Sequence, residues 1–212
     1  EAGARGGFPE KASAAYKAGA KLIVIGRPEE TCGLTAHELF YRFTGKHLPK
    51  KVYLAGIGMG SSGSMTKDVE NAVKEADLVI GAERMLKAVR ELNTRTVCAY
   101  KSGEIRDIIA ETDGEKIAVV LSGDVGFFSG AKSVTEALET VDNVEICRLP
   151  GISSAVYLCA RAGTSWEDAV LLSLHGRESN LIYTVKHSPK VFAIVGGGDA
   201  VKKELMRLCE YG

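Results

Sequence analysis

From residue 51 onward, short apolar runs alternate with segments of helical period, and this rhythm constrains the fold more than any other feature. Each run is apolar throughout, which is typical of strands that are buried on both faces of a parallel sheet. The five runs lie at 52–56, 78–81, 96–100, 117–121 and 144–147, with helices predicted at 66–75, 84–92, 104–110 and 132–140. We therefore predict an α/β fold with helices on both faces of a mostly parallel sheet.

The rhythm resets after Pro150 and Gly151. Strands are predicted at 170–174 and 191–195, among helices at 153–162, 180–186 and 200–210. A two-stranded sheet is marginal by itself. We therefore expect this second α/β domain to be truncated in the chain.

The first 45 residues follow a different pattern. Helices are predicted at 10–18 and 35–43, with a short strand at 21–25 between them, and the polar stretch 45–50 is the best linker. The sequence thus predicts three regions, at 1–46, 51–149 and 150–212.

Composition narrows the possible partners and the location. The chain has 27 basic and 27 acidic residues, so no net charge attracts it to nucleic acid or to an anionic membrane. No apolar stretch approaches the roughly 18 residues of a membrane span. The five cysteines have no metal-ligand spacing, and we expect buried, reduced thiols in a cytoplasmic protein without a metal site.

A glycine-rich loop follows the first strand of the parallel sheet. Ligands of such sheets bind beyond the carboxyl ends of the strands, and Gly56, Gly58 and Gly60 allow close approach of the backbone. The loop is a plain connector, or it binds a ligand such as a dinucleotide, for which Glu83 is the candidate ribose-binding acid. The spacing departs from G-x-G-x-x-G, because Ser61 stands where the third glycine belongs.

The loop after the strand at 117–121 combines small residues with an acid and an aromatic ring. It contains Ser122, Gly123, Asp124, Gly126 and Phe127. The carboxylate is a candidate for binding ribose hydroxyls or a cationic group, and the rings of Phe127 and Phe128 are candidate walls for a flat ligand. The alternative is an N-cap aspartate beside core aromatics.

Two later loops carry further candidates. Ser153 and Ser154 follow the Pro-Gly junction between the two α/β units, and domain junctions are favoured ligand sites; either serine is also a good helix N-cap. His175 and Arg177 follow the strand at 170–174, where they are candidates for binding carboxylates or belong to a solvated loop.

Together these loops resemble the tetrapyrrole methylases of cobalamin synthesis, and most closely the cobalt-precorrin-7 (C5)-methyltransferases, also described as precorrin-6Y methylase subunits. The first loop departs from the family pattern, which usually has Pro and Asp where Met59 and Ser61 stand. The resemblance covers about three quarters of the chain and rests on the segments 56–60, 65–66, 76–81, 84–86, 122–129, 150–154, 166–169 and 173–177.

The resemblance implies the tetrapyrrole methylase fold, with S-adenosylmethionine in a cleft between two α/β domains. The Gly58 loop, the Asp124 loop and the Ser153–Ser154 turn are then expected to surround this methyl donor, with Asp124 as a candidate base. The resemblance further implies a precorrin or corrin substrate, a homodimer and a reaction without a metal. The carboxylates of the substrate are expected to bind the basic side chains of Arg84, Lys101 and Arg177. His175 is a further candidate for binding the substrate.

The segment up to residue 45 resembles the C-terminus of precorrin-6A reductase, through residues 6–11 and 23–28. This implies a fusion of reductase and methylase. Two other functions stay open. One is an NAD(P)-dependent oxidoreductase of Rossmann type, based on the Gly56 loop, Glu83 and the reductase-like first segment. The other is a tetrapyrrole-binding module without catalysis.

Overall fold

The structure, a computed structural model, describes residues 7–22, 36–45, 48–174 and 180–211. The chain divides into two compact units, Glu1–His47 and Leu48–Gly212. In the first unit, helix α1 spans Phe8–Lys17 and helix α2 spans Ala36–Thr44. Pro9 lies in the first turn of α1, where its missing N–H has no helical partner to lose. Of the strand predicted at 21–25, the first two residues are in no regular element and the others lie outside the described residues.

The second unit contains a parallel sheet of five strands in the order β3-β2-β4-β1-β5. Four helices connect these strands, each placed within three residues of its predicted position. The strands are β1 (Lys50–Gly56), β2 (Leu78–Gly81), β3 (Thr96–Cys98), β4 (Lys116–Leu121) and β5 (Val144–Leu149), and the helices are α3 (Lys67–Glu75), α4 (Glu83–Val89), α5 (Ser102–Glu111) and α6 (Ala131–Leu138).

Both faces of this sheet are buried, as the uniformly apolar runs predict. Successive strand residues point to opposite faces. Val52 and Leu54 of β1 pack in one core cluster, with residues of α5 and α6. Ala55 packs in the other cluster, with residues of α3 and α4. The prediction of an α/β fold with a parallel sheet is confirmed.

Beyond β5 the chain forms a smaller α/β part of the same unit. Two parallel strands, Val170–Ser173 and Val191–Ile194, make up its sheet in the described residues. In chain order, its elements are α7 (Ser154–Arg161), β6 (Val170–Ser173), α8 (Leu181–His187), β7 (Val191–Ile194) and α9 (Gly198–Tyr211). The domain boundaries and the truncation inferred from the sequence stay predictions.

The expectation of buried cysteines is wrong for two positions. Cys159 is buried, but Cys98 and Cys209 are exposed. Cys98 is the last residue of a three-residue strand at the edge of the sheet, where neighbours cover only part of the strand. Cys209 lies on α9, which has no buried residue. Within the described residues, no helix has the length and apolar character needed to cross a membrane.

Candidate functional site

The carboxyl ends of three adjacent strands, β4, β1 and β5, bring the predicted loops together. The loops that follow β1 and β4 are joined by an isolated antiparallel bridge between Gly58 and Gly123. The Gly58 N–H donates to the Gly123 carbonyl at 3.1 Å, and the Gly123 N–H donates to the Gly58 carbonyl at 2.9 Å. The two loops therefore form one surface, as their place at the edge of the sheet requires.

The loop after β5 is packed directly against the backbone of the other two. A Cβ atom on Gly56 would lie 2.6 Å from the Gly123 carbonyl oxygen, and one on Gly151 would lie 2.3 Å from the carbonyl oxygens of both Gly56 and Gly123. No side chain fits at either position, because the obstructing atoms belong to the backbone. Glycine is needed here for close packing of three chain segments.

Asp124 ties the β4 loop to the loop after β5. Its Oδ1 accepts the Gly126 N–H at 2.8 Å, and its Oδ2 accepts the Gly151 N–H at 3.0 Å. Hydrogen bonds from N–H groups to an ionised acceptor are stronger than neutral ones. Both oxygens thus hold loop backbone in place, which is a positioning role; action of Asp124 as a base stays a prediction.

The glycine-rich loop after β1 folds around a serine that the sequence did not single out. The Ser64 hydroxyl is almost fully buried, donates to the Ser61 carbonyl at 2.8 Å and accepts N–H groups of Met59 and Ser61 at 3.1 and 3.3 Å. A Cβ atom on Gly58 would lie 2.4 Å from the Ser64 carbonyl oxygen. Gly60, by contrast, is exposed and makes no such close contact. A hydroxyl that caps a tight loop is recognisable only in three dimensions.

A cleft of about 450 Å³ opens at this meeting point, and we call it the junction cleft. Its volume lies within the range of about 300–1,000 Å³ typical of small-molecule sites. Its polar groups include the Asp124 carboxylate and the Ser153 hydroxyl, which caps α7 by accepting the Val156 N–H at 3.2 Å. Its apolar lining includes Ile152, Val156 and Trp166.

The junction cleft fits a nucleoside that carries a positive charge. The apolar surface suits a flat base, and the carboxylate suits ribose hydroxyls or a sulfonium cation. Among the predicted residues, the cleft is lined by Asp124, Gly126, Phe127 and Ser153. Gly56, Gly58 and Gly123 do not line the cleft, but Gly56 and Gly123 pack against Gly151, which does. Ser154 begins α7 beside Ser153.

The turn that carries Trp166 is held by an ion pair. Lys190 Nζ donates to Asp168 Oδ1 at 2.7 Å and to the Ser165 carbonyl at 2.6 Å. The hydrogen bond from Lys190 lowers the pKa of Asp168 below its ordinary value of 3.8. This contact keeps the indole at the cleft, and neither Trp166 nor Lys190 was among the residues predicted for the site.

A second cleft, of about 700 Å³, adjoins the first, and we call it the aromatic cleft. The two clefts share Gly126, Phe127 and Leu171. The Phe127 ring centroid lies 5.0 Å from that of Phe128 and 5.9 Å from that of Phe192. Phe127 therefore lines both clefts, with Phe128 and Phe192 close to its ring.

The predicted substrate-binding residues are only partly brought together. Arg84 Nη2 lies 3.4 Å from the Ser122 hydroxyl, so the ends of β2 and β4 do meet. Lys101 forms an exposed ion pair with Glu104 at 3.4 Å. Neither Arg84 nor Lys101 lines the junction cleft or the aromatic cleft. His175 and Arg177 lie outside the described residues.

The described ranges contain no group of three or more His, Cys, Asp or Glu side chains that could hold a metal ion. The absence of a metal from the reaction stays a prediction.

The strand order argues against a dinucleotide site of Rossmann type. In that fold the strand order is 3-2-1-4-5, so β1 lies beside β2. Here β4 separates β1 from β2. Glu83, the candidate ribose acid, is instead 3.6 Å from the Arg90 guanidinium.

Solved structures of methylases have the same fold. The precorrin-6Y methylase of Archaeoglobus fulgidus superposes with a TM-score of 0.55 at 21% identity, over 70% of this chain and 75% of that one. A cobalt precorrin-4 methyltransferase superposes with a TM-score of 0.62 at 19% identity, over 77% of this chain and 75% of that one. At this identity the likeness concerns the fold alone.

Curated relatives share sequence as well. The chain is 30% identical over 147 residues to a probable cobalt-precorrin-7 C(5)-methyltransferase of Methanocaldococcus jannaschii, over 66% of this chain and 69% of that protein. It is 34% identical over 127 residues to the cobalt-precorrin-7 C(5)-methyltransferase of Salmonella typhimurium, over 58% of this chain and 62% of that protein. The chain thus spans about two thirds of the length of these relatives.

The family model described as Tetrapyrrole (Corrin/Porphyrin) Methylases matches residues 51–211. The match starts within β1 and includes every loop of the candidate site. It confirms the resemblance inferred from those loops, whereas the reductase-like head stays a prediction. The chain belongs to the tetrapyrrole methylase family.

Proposed function

We propose that this chain transfers the methyl group of S-adenosylmethionine to a precorrin, at C5 of cobalt-precorrin-7. The observation that carries the proposal is the junction cleft, which combines a carboxylate, a buried serine and apolar walls beside a second, larger cleft of about 700 Å³. The C5 position follows the activity for which the relatives from Methanocaldococcus jannaschii and Salmonella typhimurium are named. A homodimer, a cytoplasmic location and the reductase fusion are further parts of the proposal.

The contribution of the protein is mainly positioning. When bound, S-adenosylmethionine supplies an activated methyl group whose leaving group is a neutral thioether. The main-chain contacts of Gly56, Gly123 and Gly151 fix the floor beneath it, and Asp124 holds two loops in register. Phe127 lines both clefts and lies at the boundary where donor and acceptor would meet. Alignment of the two reactants and exclusion of water then account for the acceleration.

Ligand-dependent melting separates this function from an oxidoreductase. At a concentration 100 times its Kd, a ligand stabilises the folded state by about 2.7 kcal/mol. We expect S-adenosylhomocysteine to raise the melting temperature and NADPH to leave it unchanged. A rise with NADPH alone would contradict the proposal.

Transfer of a labelled methyl group separates an enzyme from a tetrapyrrole-binding module. The protein is incubated with cobalt-precorrin-7 and S-adenosylmethionine carrying a ¹³C-methyl group. We expect one labelled methyl per product molecule, attached at C5 in the NMR spectrum. Binding of the acceptor without incorporation would support the non-catalytic alternative, and a label at another carbon would correct the position.

A further inference from the structure

The aromatic cleft contains an arginine that the sequence reasoning did not single out. Arg148 lies on β5, and its Nη2 donates to the Thr135 hydroxyl at 3.0 Å. The same hydroxyl donates to the Ala131 carbonyl at 2.9 Å. Because Thr135 uses its only proton on the backbone of α6, its oxygen is oriented to accept from Arg148. Arg148 is exposed, and this hydrogen bond favours one direction of its guanidinium before any ligand binds.

The guanidinium of Arg148 has no carboxylate within ion-pair distance among the residues that the structure describes. Glu136 and Glu139 line the same cleft, and Glu136 is 3.7 Å from Lys132. A guanidinium has five N–H donors in a planar fork, of which one hydroxyl occupies only one. Arg148 can therefore receive a carboxylate with two parallel hydrogen bonds.

The other basic candidates fit this role less well. Arg84 and Lys101 line neither cleft, and Lys132 already has Glu136 as an ion-pair partner. Arg148 also lines the same cleft as the aromatic rings of Phe127 and Phe128, against which a flat macrocycle can pack.

We propose that Arg148, oriented by Thr135, binds a carboxylate on the edge of the acceptor macrocycle and so sets which part of the ring faces the junction cleft. This inference rests on the proposed function, because it assigns the aromatic cleft to the acceptor. Thr135 is then a positioning residue, which acts only through Arg148.

The test compares binding of two corrins, one with side chains that end in free carboxylates and one with the same side chains amidated. We expect Arg148→Gln to weaken binding of the carboxylate corrin about tenfold, as loss of a charge-assisted pair implies. Binding of the amidated corrin and of S-adenosylhomocysteine should change less than about twofold, since neither uses this charge. Arg95→Gln is the matched control, because Arg95 precedes β3 at the opposite edge of the sheet.

Two variants of Thr135 distinguish orientation of the arginine from a general effect on folding. Thr135→Val removes the hydroxyl and should weaken binding of the carboxylate corrin about threefold, as expected for loss of a neutral hydrogen bond. Thr135→Ser keeps the hydroxyl and should restore wild-type binding.

The possible results separate the inference from the function on which it rests. If the wild type binds S-adenosylhomocysteine and Arg148→Gln binds both corrins as the wild type does, the role of Arg148 is overturned and the proposed function stands. If Arg148→Gln weakens binding of both corrins equally, the role of Arg148 is also overturned, since the carboxylate would then not be what it binds. If the wild type does not bind S-adenosylhomocysteine, the proposed function fails, and the inference fails with it.

Discussion

Replacement of Asp124 by asparagine tests how the junction cleft is held together. Both carboxylate oxygens accept a backbone N–H, at 2.8 Å from Gly126 and at 3.0 Å from Gly151. Asparagine offers one oxygen and one NH₂ group, so one of the two N–H groups must face another donor. The substitution preserves shape and removes one acceptor, and its effect can therefore be calculated from the contacts.

The magnitude follows from the exposure of the two contacts. A hydrogen bond to a charged group contributes about 1.5–3 kcal/mol, and the contact with Gly126 is exposed while that with Gly151 is partly buried. We expect the asparagine oxygen to retain the hydrogen bond from the Gly151 N–H, so that only the one from Gly126 is lost. Asp124→Asn should then lower the free energy of unfolding by about 1.5 kcal/mol. Asp124→Ala loses both contacts and should cost about 3 kcal/mol, because the Gly151 N–H is then left without an acceptor.

The assay is urea unfolding followed by tryptophan fluorescence. Trp166 is the only tryptophan of the chain and lines the junction cleft, so its signal reports on the region that is perturbed. Asp142→Asn is the control, since Asp142 is exposed in the turn before β5. An unchanged unfolding midpoint for Asp124→Asn would refute the claim that this carboxylate locks the two loops. Unchanged affinity of Asp124→Ala for S-adenosylhomocysteine in calorimetry would refute the placement of the methyl donor.

Three further substitutions test other contacts. Gly151→Ala places a Cβ atom 2.3 Å from two carbonyl oxygens, and we expect a loss of about 3 kcal/mol in urea unfolding. Lys50→Met removes an ammonium group that donates to three carbonyls at the end of α5, at 2.6, 2.8 and 3.2 Å, and should cost about 1 kcal/mol in the same assay. Asp168→Asn should reduce the loss of unfolding free energy at acidic pH. Lys190 lowers the pKa of Asp168 below its ordinary value of 3.8. The ion pair therefore stabilises the fold fully above pH 3.8, and this stabilisation is lost as the pH falls through the lowered pKa.

Each of these variants has a matched control. Gly103→Ala adds a Cβ atom to open space within α5 and should be neutral or slightly stabilising. Lys51→Met removes two weak contacts, with Glu145 at 3.9 Å and with the Tyr53 ring at 5.7 Å from its centroid, and should change stability little. Asp113→Asn is the control for the dependence of stability on acidic pH. If a variant and its control change the free energy of unfolding equally, the contact removed by that variant does not have the role assigned to it.

The sequence predicted the elements of the parallel sheet better than their arrangement. Uniformly apolar runs such as 117–121 identify strands buried on both faces, because burial determines composition locally. The placement of β4 between β1 and β2 depends on how distant segments pack, and no local period encodes it. Helix ends differ by up to three residues for the same reason, since the cap depends on tertiary contacts.

The candidate site was predicted in part. Asp124 and Ser153 were identified from their loops and line the junction cleft. No local pattern indicates that Ser64 caps the first loop, since the hydrogen bonds depend on how the loop folds. The same is true of Arg148 in the aromatic cleft, because its partner Thr135 lies on another segment. Lys101 was favoured for its charge alone, and charge does not specify where a side chain lies.

The position of β1 has a consequence for how the protein folds. Its hydrogen-bonded partners come much later in the chain, because Lys51 is paired with Lys116 in β4, and Lys50 with Val144 in β5. At translation rates of 5–20 residues per second, the ribosome needs about 5–20 s to make the roughly 100 residues between the start of β1 and the end of β5. During that interval an apolar segment with two unpaired edges is exposed on the nascent chain, where it is a natural target for chaperones.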